Sequence, residues 1–516
     1  MADIVLINPK FETSFWGLEY ALDLLGVKAN LPVAALPLLA ALTPAEHRIE
    51  LIDENVRPID YDRCARADIV GVTGMSVQRF HMREIIAELK QRGCFVVVGG
   101  PWVTVQEDYF GSDVDVIFIG EAETTWPQFL ADWSAGQQAR RYEQAHRTDV
   151  TQLPVPRHDL LNMRDYAFGS VQFSRGCPFT CEFCDIIVTF GRKPRLKTSP
   201  QIIAELDCLW RRHGMSTVFI VDDNLIGNKR EIKAVLRDLL AWQQTNGFPL
   251  MFFTEASIDL ADDPELLALM SAVNIRIVFV GVETPNEASL RETKKLQNLR
   301  QGGSIVDKIH CIQDAGLEVW SGQIVGFDHD GPDIFDRQIA FIQEARIITT
   351  MVGMLSAIPK TPLHARLARE GRLDEVDNPP SGTNVIPLRL DRDQLRRGHL
   401  RVMQALYAPE AYCERVRHLY LHGPLASLEH WPKRPWPAHL RQSLAALVQS
   451  AVIVLRLESR VRDRALRQAY RMMIKEALHR RSPLLLQILT IKCAMHYHAA
   501  CLVKEMAASQ HGINTF

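Results

Sequence analysis

Three of the ten cysteines fall within Ser174-Arg175-Gly176-Cys177-Pro178-Phe179-Thr180-Cys181-Glu182-Phe183-Cys184. The spacing C-x3-C-x2-C puts three thiols on one loop. Cysteine thiolates hold iron–sulfur clusters, and three of them leave one iron of a 4Fe-4S cubane open to a small molecule. A structural zinc site needs a closed set of four ligands. The nearest histidines, His158 and His213, stand outside zinc-finger spacing. Cys177, Cys181 and Cys184 are therefore read as cluster ligands. The other cysteines are scattered and too sparse for a secreted disulfide framework.

Positioning such a loop takes a scaffold, and the chain reads as two runs of alternating strand and helix. In residues 1–145 the strand candidates are Ile4–Ile7, Arg48–Asp53, Ile69–Thr73, Phe95–Gly99 and Val116–Ile119. Helical patterns at 36–42, 80–92 and 124–133 lie between them, as in a doubly wound, Rossmann-like parallel sheet. Ligands bind such sheets at the carboxyl ends of the strands. That singles out Thr73, Ser76, Val77, Gln78, Gly99, Gly100, Thr104, Gly120 and Glu121. Gly99-Gly100-Pro101 would offer backbone rather than side chain to a ligand. Residues 136–164 are polar and aperiodic, and 146–167 is assigned as a linker.

From residue 168 the alternation restarts with strands Val171–Ser174, Thr217–Val221, Leu250–Thr254, Ile275–Val280, Val319–Ile324 and Thr350–Leu355. Six βα units over 168–380 fit a partial (β/α)6 barrel, whose sites lie at the C-terminal strand ends. Asp222, Asp223, Glu255, Glu283 and Gln323 occupy those ends. Residues 381–516 read as a helical C-terminal domain, basic and amphipathic over 392–421 and 440–508. The fold class is thus α/β with a helical extension.

Formal net charge is −2, which disfavours a non-specific nucleic-acid binder. The first nine residues lack a basic leader region and read as a strand. Leu484–Val503 is oily but interrupted by Lys492, His496 and His498, a poor membrane span. A cytoplasmic protein is expected. The basic C-terminal helices read first as a cap over the barrel mouth with solvated Lys and Arg, and a lipid substrate would add peripheral membrane contact.

The cysteine motif resembles the signature of radical S-adenosylmethionine enzymes, and the resemblance extends over residues 1 to about 420. A Rossmann-like domain ahead of the barrel is similar to the cobalamin-binding subgroup. Cys181–Ile186, Gly191–Arg195 and Val221–Lys229 resemble the hopanoid C-2 methylase group. The resemblance implies a 4Fe-4S cluster, S-adenosylmethionine, cobalamin, and reductive cleavage to a 5′-deoxyadenosyl radical. It implies that Asp222 and Asp223 meet the methionine amino group, that Glu255 and Glu283 lie near the ribose, and that Phe183 packs near adenine. Gln323 joins the cofactor-binding set by its strand-end position. Cobalamin would lie against Thr73–Gln78 and Gly99–Thr104. The D-x-H-x-x-G cobalamin motif is absent. His81, at the start of a helix, reads as solvent-facing or capping rather than as a replacement ligand.

The expected reaction is methyl transfer to an unactivated carbon of a small molecule, a lipid being compatible, with a flavodoxin or ferredoxin as electron donor. Radical cyclisation or oxidation, 3-amino-3-carboxypropyl transfer, and a non-catalytic cobalamin or redox sensor remain the alternatives.

Overall fold

Short β-branched runs flanked by amphipathic helices build two parallel six-stranded sheets. In this computed structural model the described residues are 1–299, 303–374, 376–427, 431–432, 434, 436–509 and 512–514. The first sheet comprises β1 (Asp3–Asn8), β2 (Arg48–Asp53), β3 (Ile69–Thr73), β4 (Val96–Gly99), β5 (Val116–Ile119) and β6 (Arg141–Glu143), in the order β2-β1-β3-β4-β5-β6. Its inner strands β1, β3, β4 and β5 are buried nearly throughout, the usual fate of an all-parallel sheet. β6 corrects the reading of 136–164 as aperiodic crossing. Ile117 pairs with Arg141, and the buried Tyr142 ring stacks on Phe118 at 5.4 Å. One buried residue between two exposed ones carries too little pattern to be read as a strand.

The second sheet takes β7 (Gly169–Val171), β10 (Thr217–Ile220), β11 (Met251–Ala256), β12 (Ile275–Glu283), β13 (Glu318–Val325) and β14 (Thr350–Met354). They lie in sequential order, all parallel, as a partial barrel. The strand read as Val171–Ser174 is broken. Ser174–Arg175 (β8) leaves the barrel and pairs antiparallel with Arg195–Leu196 (β9). The cause is Asp222, whose carboxylate accepts from Phe173 N at 2.7 Å and Ser174 Oγ at 2.5 Å and so diverts the chain from the ladder.

The C-terminal part is helical, with long helices Trp436–Arg460, Arg464–His479 and Pro483–Ala508. The last of these packs on the barrel, and its Lys492 forms a buried ion pair with Glu318 of β13 at 2.6 Å. Breaking a buried pair of this kind costs about 3–5 kcal/mol. The oily 484–503 stretch therefore lies within a core helix. Among the described residues, one helix is long and apolar enough to cross a membrane, Trp436–Arg460, with mean hydropathy 1.3 and 22% of its apolar window buried.

Candidate functional site

The β8–β9 hairpin carries the cysteine loop. Gly176 has φ +94, and a Cβ there would meet Gly191 O at 2.9 Å and Lys193 O at 3.0 Å, so only glycine fits. Cys177 N donates to Gly191 O at 3.2 Å, pinning the first cysteine against the returning strand. Cys181 is buried and Cys177 and Cys184 half-buried. Burial pushes the Cys177 and Cys184 thiols up.

The surroundings suit an electron-rich sulfur centre. Asn224 Nδ2 lies 3.7 Å from Cys177 Sγ, and Gln297 Nε2 lies 3.5 Å from Cys181 Sγ. Burial alone would favour neutral Lys295, but Glu283 at 2.6 Å, with Cys181 and Cys184 nearby, holds it protonated. N–H donors and a buried cation favour charge on sulfur. These residues fit a cluster held by Cys177, Cys181 and Cys184. Lys295 and Gln297 escaped sequence reasoning, whereas Asn224 was legible at the strand end beside the two aspartates.

The strand-end acids divide into three kinds. Asp222 is spent on Phe173 and Ser174. Asp223 has a buried Oδ2 without a hydrogen-bond partner. Burial, then Asp185, pushes Asp223 up to about 7. Glu255 is pushed to about 8 by burial and then by Asp223 and Asp222. Glu283 sits on a β-bulge at φ +67, a conformation uncommon for a side chain other than glycine or asparagine. Its carboxylate is committed to Lys295. Gln323 is fully buried with Oε1 unpartnered. Phe183 packs beside Phe327 at 6.2 Å, with Lys295 Nζ 5.8 Å from its ring centroid. The free carboxylates and the orphaned amide suit a ligand with an ammonium and hydroxyls, as S-adenosylmethionine has; Asp222 does not share that freedom.

Between the first sheet and β7–β8 lies an open cleft of about 240 Å3. Thr73, Gly99, Gly100, Thr104, Gly120 and Glu121 line it. Thr104 Oγ1 donates to Gly100 O at 2.9 Å and accepts from Gly120 N at 2.9 Å, tying two glycine loops together. A Cβ on Gly100 would meet Thr73 Oγ1 at 2.5 Å. Behind these loops Leu6, Leu36, Leu39, Val97, Phe118 and Trp126 form an apolar slot. Glycine loops over an apolar slot fit a large ring system with an appended flat base, so the residues present fit cobalamin.

Three of the residues read as facing the corrin stand apart from this lining. Gln78 is buried, donating to Asn8 Oδ1 at 3.2 Å and Pro9 O at 2.6 Å and accepting from Met75 N, so it braces loops. Ser76 and Val77 belong to the same turn. Glu121 lines the cleft but is paired with Arg175 and Arg195, each at 2.9 Å, tying this domain to the cysteine hairpin. His81 sits between Glu54 and Glu84 and is accounted for by those pairs.

Inside the barrel the layer beneath the acids is aromatic. Phe219 stacks on Phe253 at 4.6 Å, and Trp320 lies 6.2 Å from Phe253. Trp16, reaching in from the loop after β1, meets Phe279 at 5.1 Å. With Phe15, Tyr407 and Met495 these rings line a partly open cavity of about 50 Å3, with Glu255 also on its lining. Phe15 and Trp16 lie in the strand-end loop Pro9–Trp16, which the sequence does mark, but their partners Tyr407 and Phe279 lie hundreds of residues away and carry no such signal.

A cysteine-loop barrel behind a cobalamin-type cleft defines a cobalamin-dependent radical S-adenosylmethionine enzyme. The comparisons agree. Residues 24–130 match the B12 binding domain, 171–342 the radical SAM superfamily, and 361–511 a domain of unknown function, DUF4070. An uncharacterised methyltransferase of Synechocystis is 42% identical over 422 residues, 81% of this chain and 78% of that one. The hopanoid C-2 methylase of Rhodopseudomonas palustris is 34% identical over 450 residues, 86% of this chain and 84% of that one. The fold is shared with OxsB, bound to aqua-cobalamin and S-adenosylmethionine (TM-score 0.61, 13% identity, covering 98% of this chain and 80% of that one). It is also shared with TsrM of Kitasatospora setae, with cobalamin and a 4Fe-4S cluster bound (TM-score 0.58, 17% identity, covering 77% and 82%). The chain belongs to the family of the hopanoid C-2 methylase, as a cobalamin-dependent radical S-adenosylmethionine methyltransferase.

Proposed function

We propose that the methyl acceptor is an unactivated carbon of an apolar polycyclic lipid of the hopanoid kind. The observation that carries this reading is the aromatic chamber beside the free carboxylates. Its walls are Phe219, Phe253, Phe279, Trp320, Phe15 and Trp16, and its acidic member is Glu255. A rigid hydrocarbon gains from burial against rings, whereas a charged or amide-rich substrate would leave polar groups unpaired there. The hopanoid C-2 methylase relative supports the same class.

When bound, the cluster and cobalamin would supply electron delivery and the methyl group. The chain's part is positioning. Asp223 would take the ammonium of S-adenosylmethionine, and Glu255 and Gln323 would take its hydroxyls. Lys295, held by Glu283, would steady the charge of the sulfur centre. The aromatic rings would exclude water from the reacting carbon. A flavodoxin or ferredoxin would deliver the electron, in a reducing cytoplasm that preserves the free thiols. The working division is 1–145 for cobalamin, 146–167 as connector, 168–380 as barrel and 381–516 as helical domain.

The test is anaerobic turnover of the reconstituted enzyme with methyl-deuterated S-adenosylmethionine, a reductant and a pentacyclic hopanoid hydrocarbon. One labelled methyl on the hopanoid, with S-adenosylhomocysteine released, is expected. Label on a chlorin or a peptide instead, with none on the hopanoid, would overturn the substrate class.

A further inference from the structure

The helix Trp436–Arg460 has a face that nothing in the described structure covers. Its inner residues Ala446, Ser450, Ile453 and Leu457 are buried, against the helices Pro483–Ala508 and Glu19–Leu25. On the other side Leu440, Leu444, Leu447, Val448, Val452 and Leu455 are exposed, Val448 at 66% and Leu455 at 69%. Their three- and four-residue spacing makes one continuous stripe. No charged residue falls between Arg441 and Arg456. Trp436, 75% exposed, stands at the start of the helix. A contiguous apolar stripe of this kind marks an interaction surface.

We propose that this face docks on an anionic lipid bilayer, with the helix lying in the plane of the headgroups. Charge selects the occupant. Residues 436–481 hold ten Arg and Lys against three Asp and Glu, in a chain whose net charge is −2. Arg441 shares the face of the stripe, and Arg462 and Arg464 follow its far end; all three are exposed. An apolar face with a basic surround and a terminal tryptophan suits the boundary between acyl chains and headgroups.

Crossing the membrane is excluded by the other face. Arg456 donates to Leu24 O at 3.1 Å, and Arg460 pairs with Asp23. A spanning helix would tear Ile453 and Leu457 out of the core. The inference gives the C-terminal domain of unknown function a task, delivery of the enzyme to the phase where an apolar substrate resides. It rests on the lipid-substrate reading for its purpose, not for its evidence.

Flotation of the full chain with vesicles tests it. Wild type should float with phosphatidylglycerol–phosphatidylcholine vesicles and less with phosphatidylcholine alone. Leu444→Glu/Val448→Glu should cut the bound fraction about tenfold or more, and Arg441→Glu should cut it less, since apolar insertion outweighs one headgroup contact. Both positions are exposed, so the variants should keep wild-type S-adenosylmethionine cleavage, which confirms folding. Equal flotation of wild type and the double variant would overturn the proposal. So would a wild-type dimer in lipid-free sedimentation that the double variant dissolves, because the face would then be a self-interface. Docking without hopanoid methylation would leave this inference standing and sink the substrate reading alone.

Discussion

The barrel interior has two layers that treat polarity in opposite ways. At the strand ends sit Asp223, Glu255, Glu283, Lys295 and Gln323, with Asp223 Oδ2 and Gln323 Oε1 unpartnered. Directly beneath are Phe219, Phe253, Phe279 and Trp320, closed by Trp16 from the other domain. Buried carboxylates without donors cost free energy unless a ligand supplies the donors. On the proposed reading the polar layer serves a charged cosubstrate and the aromatic layer an apolar one. Neighbouring residues of one strand serve both, since Phe253 and Glu255 of β11 are two apart and share the inward face.

The sharpest way to break that division is within the polar layer. Asp223→Asn should weaken S-adenosylmethionine binding about 10- to 100-fold by calorimetry, the scale of one charge-assisted hydrogen bond. Asp222→Ala should leave that affinity in place and lower unfolding stability by about 2 kcal/mol, because it strips an acceptor from Phe173 and Ser174. Equal affinity losses in the two would dissolve the distinction between them.

In the aromatic layer, Trp320→Ala should raise the KM for the apolar substrate about tenfold while uncoupled S-adenosylmethionine cleavage persists. A parallel loss of cleavage would mean the layers are not separate.

The smallest effect is on pH. In the ligand-free fold burial pushes Asp222 and Asp223 up to about 7 and Glu255 up to about 8, well above the usual carboxylate range. Over that interval the native state binds more protons than the unfolded state, so stability falls as pH rises from about 4 to about 8 and then levels. Scanning calorimetry should show a Tm lower by a few degrees at the alkaline end. Glu255→Gln should flatten the slope.

Much of this was legible from sequence. Runs such as Ile69–Thr73 and Val116–Ile119 are short, apolar and β-branched, and they emerge as strands with those same bounds. The cysteine spacing named the cluster because three thiols on one loop have few other uses. Adjacent Asp222 and Asp223 could not be told apart, since only the fold shows which is consumed by backbone donors. Glu121 looked like a loop ligand because Arg175 and Arg195, its partners, are distant in sequence. Nor did periodicity reveal the uncovered stripe on Trp436–Arg460, because an apolar face reads alike whether it meets a core or a lipid.

One chain is expected to hold both a radical-generating cluster and cobalamin. Anaerobic reconstitution with iron, sulfide and hydroxocobalamin, followed by metal analysis of wild type and Cys181→Ala, tests it most directly. About four irons per chain with about one cobalt are expected for wild type, and loss of the cluster iron with cobalt retained for the variant, since the two sites use different residues. A full iron complement in Cys181→Ala, or wild type without cobalt, would contradict the account.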